Sequence, residues 1–380
     1  MASCPDIQGE DALNRALDDF FSREDPLEKE IYEKLKHELL DLAKEDQLRN
    51  LPRLVFGMIK PAAYARGLAP RVVEWLRLNG FRIALAKFGE IKGKELDELY
   101  LFVKRKYQES WWIMERAYSM APALAMVLIG DYKGHEHACA MLRKLIGPTT
   151  PEAGSRGNLR YDLKGVNRVF NIIHISDDPA AALRESSVFF DMEEVLESLS
   201  SNNEVKLHME RLKPSKLREL SRWKTFSDLK RRCVNLLNSN ELQELLNEES
   251  NVLSEDLPFD EERRKLLPIE VKISRIAQSI WRKVREDAIN KARTRASLED
   301  KRMWDVFNDR LFAARCIELL SDELKLLEER DFDLLMLWMI NRGIIADEWE
   351  EIIAHSTWAV MPQMVRDFRK YGKIIISGKC

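Results

Sequence analysis

A histidine that closes an apolar run is placed to act as a nucleophile, and His174 stands so in Asn171-Ile172-Ile173-His174-Ile175-Ser176-Asp177. Its neutral imidazole, abundant near pH 7, could take a group from one substrate and pass it to another. A lone strand-end histidine is more often a buried structural residue, so the weight falls on its company. Leu54 to Lys60 reads as a buried strand ending in a lysine, with Pro61 stopping the ladder. Arg66-Gly67 follows, and Arg143, Thr149, Arg156 and Arg160 lie in or near the Gly/Pro/Thr-rich stretch from Gly147 to Gly157. A loop of that length inside a compact domain is usually functional or disordered. Guanidinium forks match phosphate oxygens bidentately, which makes a polyphosphate the natural ligand.

The elements that must position these groups follow from hydrophobic periodicity. The pattern predicts strand 54–60, helix 69–79, strand 81–88, helices 93–106 and 110–120, strand 122–129 and helix 135–146. After the loop come a strand near 170–174 and helix 179–187. That order is βαββαβ with additions, an α+β, ferredoxin-like sandwich whose runs at 82–86 and 123–127 are apolar enough for central strands. No Gly-rich G-x-x-x-x-G-K-[ST] loop is present, and Ser377-Gly378-Lys379 is too short and wrongly placed for one, so nucleotide binding here would use side chains.

Over residues 53–191 the chain resembles the nucleoside diphosphate kinases. The motifs are M-I-K-P at 58–61, R-G-L at 66–68, the P-x-x-A-M-V strand at 122–127 and M-L-R-K-L-I-G-P-T-T-P at 141–151. They continue with G-N-L-R at 157–160, N-I-I-H-I-S-D at 171–177 and Glu185, in the family's order and close to its spacing. The resemblance implies that His174 takes the terminal phosphoryl of a nucleoside triphosphate and hands it, as phosphohistidine, to a nucleoside diphosphate. It further implies that Lys60, Arg143 and Arg160 hold phosphate oxygens, that Thr149 donates a hydroxyl hydrogen bond to them, and that Asn171 bonds ribose or phosphate. Ser176 and Glu185 would fix the imidazole. So many cations suit a reaction whose transition state spreads charge over equatorial oxygens. Mg2+ would arrive with ATP or another triphosphate, because it prefers phosphate oxygens and water to a protein cage; Asp177 is the one nearby carboxylate to consider as a further ligand. A homo-oligomer is implied as well.

Departures from the family pattern are specific. Ile175 replaces the glycine that usually follows the histidine, and a β-branched residue would be strained there if the position needs positive φ. Ala62 and Ala63 replace an acidic residue and a glycine. The aromatic base clamp is displaced, with Trp112 the candidate for stacking on the base, and Tyr100 to Ser110 does not align cleanly. The arginine before that clamp has no counterpart other than Lys104, Arg105 and Lys106 nearby, and one extra residue separates Arg160 from Asn171.

Outside that domain the pattern is helical. Residues 1–52 form an extension with a charged helix from Glu28 to Gln47, whose Ile31, Leu35, Leu39 and Leu42 should share a buried face. Residues 192–380 read as a large all-α domain interrupted at Pro214, Pro258, Pro268 and Pro362, without a second kinase motif or a solenoid repeat. Six of the nine tryptophans fall there, which core packing explains. Phe332 to Ile345 is too short to span a bilayer and reads as a buried helix. The basic stretches 211–232 and 272–302 carry interleaved acids and read as solvated faces. A net charge of −3 gives no push toward nucleic acid or membrane, and neither is expected as a partner.

Five scattered cysteines argue against a disulfide framework and fit a reducing compartment; with no signal segment visible in Met1 to Asp19, the cytoplasm is expected. His135, His137 and Cys139 suggest a metal set, but only His135 and Cys139 share a helix face, so no protein-held metal is expected. Two functions follow. One is a phosphotransferase acting on nucleoside tri- and diphosphates, with the helical domain engaging an acceptor or protein partner. The other is a catalytically weak nucleotide-binding module whose helical domain mediates interaction or regulation.

Overall fold

The computed structural model describes residues 10–293 and 301–379. Cys4, Cys380, the first nine residues of the Met1 to Asp19 stretch and part of the basic run 272–302 thus lie outside the described residues. The chain divides into two compact units, one of residues 1–148, 157–163 and 170–219, the other of residues 149–156, 164–169 and 220–380. The N-terminal extension and residues 192–219 therefore group with the α+β domain. Most of the central loop groups with the helices.

The first unit is built on a four-stranded sheet, β1 (Leu54–Ile59), β2 (Phe81–Gly89), β3 (Ala123–Gly130) and β4 (Ile173–Ile175), in the order β2-β3-β1-β4. All its pairings are antiparallel, as in the expected ferredoxin-like sandwich. β1 and β3 are buried throughout, which explains their unbroken apolar runs. β4 has three residues, and its register sets Met58 opposite His174. Lys60, just past β1, donates its backbone N–H to Ile172 at 2.9 Å. Strand pairing thus brings the end of the lysine strand to the histidine strand.

Helices Ala69–Leu78, Ala138–Ile146 and Pro179–Ser186 pack with this sheet through Val72, Val73 and Leu76, through Leu142 and Ile146, and through Ala180, Ala182 and Leu183. The last begins at Pro179 with Asp178 as N-cap, which accepts from the Ala181 N–H at 2.8 Å. Arg23 of the N-terminal extension pairs with the same Asp178 at 2.8 Å and lies 3.8 Å over the ring of Tyr32. Helix Pro26–Leu42 buries Tyr32, Leu35 and Leu39, whereas Leu42, expected on that face, is exposed. The helix stops at Leu42 and a second begins at Glu45, so Leu42 sits in the last turn with no further turn of the same helix beyond it.

Residues 201–205 lie along the outer edge of β2. Val205 donates to the Ile83 carbonyl at 2.9 Å, and the Arg82 guanidinium donates to the carbonyls of Ser198, Ser201 and Asn203. An edge strand otherwise offers unpaired backbone groups to another chain.

The second unit is helical, with a core that includes Phe226, Leu229, Leu246, Ile273, Ile317, Met339 and Phe368. Two expected proline breaks do not occur: Pro268 lies inside helix Phe259–Arg293 and Pro362 inside Glu348–Lys370. Leu266, Ile269 and Ile273, all buried around Pro268, offset the missing backbone hydrogen bond by packing. Pro258 instead precedes a helix, its carbonyl accepting from Glu261 and Glu262. Helix Phe332–Asn341, expected to be buried, is covered on one face only: Phe332, Leu335, Met336 and Met339 are buried while Leu334, Leu337 and Ile340 are exposed. Both of its faces are apolar in sequence, and only one meets a neighbour. No helix among the described residues is long and apolar enough to cross a membrane.

Candidate active site

His174 reaches solvent with about a fifth of its side chain, and its Nε2 lies 2.8 Å from the Glu185 carboxylate. A carboxylate accepts, so the imidazole proton is held on Nε2 and the lone pair is on Nδ1. Helix Pro179–Ser186 follows β4 directly, which is how a residue eleven positions away comes to orient the ring. Arg184 lies 3.7 Å from the other Glu185 oxygen and donates to the carbonyls of Glu98 and Leu99, which ties the carboxylate to the helix Gly93–Leu99.

Two aromatic rings flank the imidazole. Tyr100 stands edge-on with ring centroids 5.1 Å apart, and Phe56 of β1 is tilted at 6.1 Å. The Tyr100 hydroxyl is 2.8 Å from that of Tyr118, and burial pushes both phenols well above their ordinary range, so both stay protonated. Tyr100, Phe56 and Arg184 were not expected from the sequence. Each belongs to a different element, and no local spacing points to the others.

The backbone leading to His174 is unusual. Ile172 has φ of 80°, a left-handed conformation rare for a β-branched residue, and its side chain is buried. Ile175, where strain was the concern, is instead an ordinary β4 residue paired with Gly57. The missing glycine after the histidine therefore imposes no backbone strain. Gly57 supplies room across the ladder, since a Cβ there would stand 3.2 Å from Leu128 and 3.7 Å from Ile175.

The remaining expected residues are placed as follows. Lys60 is buried at the N-cap position of helix Pro61–Ala65, in which Ala62 and Ala63 are buried too. Arg160 is buried and donates to the carbonyls of Gly147 at 3.0 Å and Ile173 at 2.7 Å. It staples the residue before His174 to the base of the loop. At that base Gly147 has φ of 87°, and a Cβ on it would come within 2.7 Å of Asn158, so glycine is required. Asn171 is buried and its carbonyl accepts from Ile173. Trp112 is exposed, while Trp111 is packed with its indole N–H donated to Asp97 at 2.9 Å. Arg66 donates to the Leu163 carbonyl at 2.9 Å, and burial lowers its pKa to about 10.

Ser176 departs from its expected role. Its hydroxyl is buried against β1, accepting from the Phe56 N–H at 3.1 Å and donating to the Phe56 carbonyl at 3.3 Å, with Cys139 at 3.5 Å. Side chains alternate across a strand, so Ser176, two residues on from His174, would share its face only if β4 continued; the strand ends at Ile175. Among the described residues, Glu185 is the polar partner of the imidazole. Asp177, considered for magnesium, forms an exposed ion pair with Arg143. His137 caps helix Ala138–Ile146 by accepting the Ala140 N–H, and Cys139 donates to the Leu54 carbonyl. Among the described residues no three His, Cys, Asp or Glu side chains form a metal set. Thr149 and Arg156 belong to the second unit.

A lysine strand, a histidine held in one tautomer by a carboxylate and a buried aromatic wall can support transfer of a group to and from Nδ1. Comparison with known proteins agrees in kind. The family model for nucleoside diphosphate kinase matches residues 55–195. A nucleoside diphosphate kinase of Metallosphaera sedula is 34% identical over 143 residues, 37% of this chain and 96% of that one. One from Nostoc punctiforme is 34% identical over 141 residues, 37% of this chain and 89% of its own length. Among solved structures, the apo cubic form of the Encephalitozoon cuniculi enzyme is 33% identical with a TM-score of 0.33, covering 36% of this chain and 88% of that chain.

Proposed function

This chain belongs to the nucleoside diphosphate kinase family through residues 55–195, and on that premise we propose that it is a phosphotransferase working through a phosphohistidine at His174. The observation that carries the reading is the 2.8 Å bond between His174 Nε2 and Glu185, which leaves the Nδ1 lone pair as nucleophile. Nδ1 attacks the γ-phosphorus of a nucleoside triphosphate, the bond to the bridging oxygen breaks, and the diphosphate leaves. Glu185 stabilises the imidazolium character that develops on the ring. A nucleoside diphosphate, or a related acceptor, then takes the phosphoryl through its terminal oxygen and restores the neutral histidine.

Lys60, Arg143, Arg160 and Thr149 are assigned to the phosphates, Asn171 to ribose or phosphate and Trp112 to the base. For Arg160 this shares the guanidinium with two carbonyls, and for Arg143 it means exchanging Asp177 for phosphate. Magnesium enters as part of the nucleotide substrate and neutralises phosphate charge during transfer. Self-association, which the family implies, would leave the β2 edge aside, because residues 201–205 already occupy it.

The deciding experiment is incubation with γ-labelled ATP and magnesium, then a chase with several nucleoside diphosphates. Acid-labile, alkali-stable label on His174 that leaves to several diphosphates supports general kinase activity. Label that stays points to another acceptor. ATP binding without label would replace this reading with the nucleotide-binding module.

A further inference from the structure

Residues 149–156, between Gly147 and Gly157, group with the helical unit. Glu152 is the centre of that attachment. Arg222 donates to it through Nε at 3.1 Å and Nη2 at 2.7 Å, and Arg263 through Nη1 at 2.7 Å. Both guanidiniums also donate to Glu323, at 2.9 Å from Arg222 and at 3.0 and 2.8 Å from Arg263. The four side chains are almost wholly buried, two positive and two negative. Trp223 lies 3.9 Å from the Arg222 guanidinium and Phe368 4.3 Å from that of Arg263. Glu323 accepts in addition from the Ile376 N–H at 2.8 Å.

Two further anchors act on the same loop. Thr150 donates its hydroxyl to Asp367, which Arg168 also holds, and Ala153 is buried in the helical core. A ring of four buried charges is poorly accounted for by stability, since well-packed apolar residues often do as well, but it favours one geometry, because removing one member leaves the buried charges out of balance. Arg222, Arg263 and Glu323 all lie beyond the residues that match the family. Relatives matched over nearly their full length have no counterpart of this helical unit in the alignment.

We propose that Glu152 is a positioning residue, and that the ion ring around it fixes the backbone of residues 149–156, Thr149 included, in the conformation that binds nucleotide phosphate. This rests on the function proposed above for Thr149. The ion ring holds Glu152, the Asp367 bond holds Thr150 and the helical core holds Ala153, all within four residues of Thr149, so the threonine's backbone is set by residues outside those that match the family.

The test uses the full-length protein carrying Glu152→Gln, with Lys230→Met as a control that breaks another buried ion cluster of the same unit. Hydrogen exchange of the 149–156 amides, well below the melting temperature, should accelerate about tenfold or more in Glu152→Gln and much less in Lys230→Met. KM for MgATP should rise about tenfold while labelling of His174 at saturating ATP changes little. Loop exchange no faster than in the control would overturn the proposal, as would faster exchange with unchanged KM and unchanged calorimetric affinity for MgATP. If the wild type takes no label, the kinase reading fails by itself, and exchange together with calorimetry still decides the role of Glu152. Should Glu152→Gln not fold, Thr150→Val removes the second anchor and must give the same two shifts.

Discussion

The Glu185 carboxylate sits 2.8 Å from Nε2 of His174, across the turn from β4 to the helix Pro179–Ser186. That one contact selects a tautomer and a ring orientation together. Glu185→Gln keeps an oxygen acceptor but removes the charge that balances an imidazolium. It should slow His174 phosphorylation by about ten- to a hundredfold, the usual cost of losing an orienting partner, with the melting temperature little changed. Pulse labelling of the variant checks this, and an unaltered rate would remove Glu185 from the mechanism.

Ile172 reverses the ordinary ranking of small substitutions. At φ of 80° a Cβ is strained, and the Ile side chain is buried, so both Ala and Gly lose its packing. Ile172→Gly should nevertheless be more stable than Ile172→Ala by about 1 kcal/mol, where glycine is elsewhere the worse residue. Urea unfolding of the two variants provides the comparison.

Arg143 is held by Asp177 in an exposed ion pair, which a phosphate bound to Arg143 as proposed would have to replace. Pairs of this kind contribute up to about 1 kcal/mol, so Asp177→Ala should lower KM for MgATP by roughly two- to fivefold. A rise in KM would instead place Asp177 among the ligands of the metal-bound nucleotide.

The helical unit contains a pH-dependent element. Lys230 is fully buried between Glu270 at 2.8 Å and Glu249 at 3.0 Å, one cation against two carboxylates. Burial, then repulsion by Glu270, raises the Glu249 pKa to about 8 despite Lys230, and burial raises Glu262 to about 7. A carboxyl whose folded pKa is raised adds stability that is complete below its unfolded value and is lost as pH rises through the folded value. The urea midpoint should therefore fall from about pH 5 to 8, most of the loss coming between pH 6 and 8, and Glu249→Gln should flatten that slope. A midpoint that is level over this range in the wild type would contradict the shift.

How much of this was legible in sequence differs from one residue to the next. The βαββαβ order and the pairing of His174 with Glu185 could be read, since each rests on local periodicity or on motifs in a known order. Ser176 was misassigned because motif spacing does not tell where a three-residue strand ends. Pro268 and Pro362 were read as breaks because local propensity ignores the packing that retains a helix around them. Tyr100 was invisible, as its proximity to His174 depends on three elements meeting.

The sequence by itself determined the sheet, the family and the position of His174 at the end of a strand, because these depend on alternating burial, on strand-ending residues and on short-range order along the chain. Tertiary structure alone decided that Ile172 and not Ile175 carries positive φ, that Arg160 staples the loop base, and that Glu152 is gripped by Arg222 and Arg263. Those relationships join residues up to 111 positions apart. Charged side chains at such separations look like solvated surface in a sequence, and only a fold that removes water from around them turns them into partners.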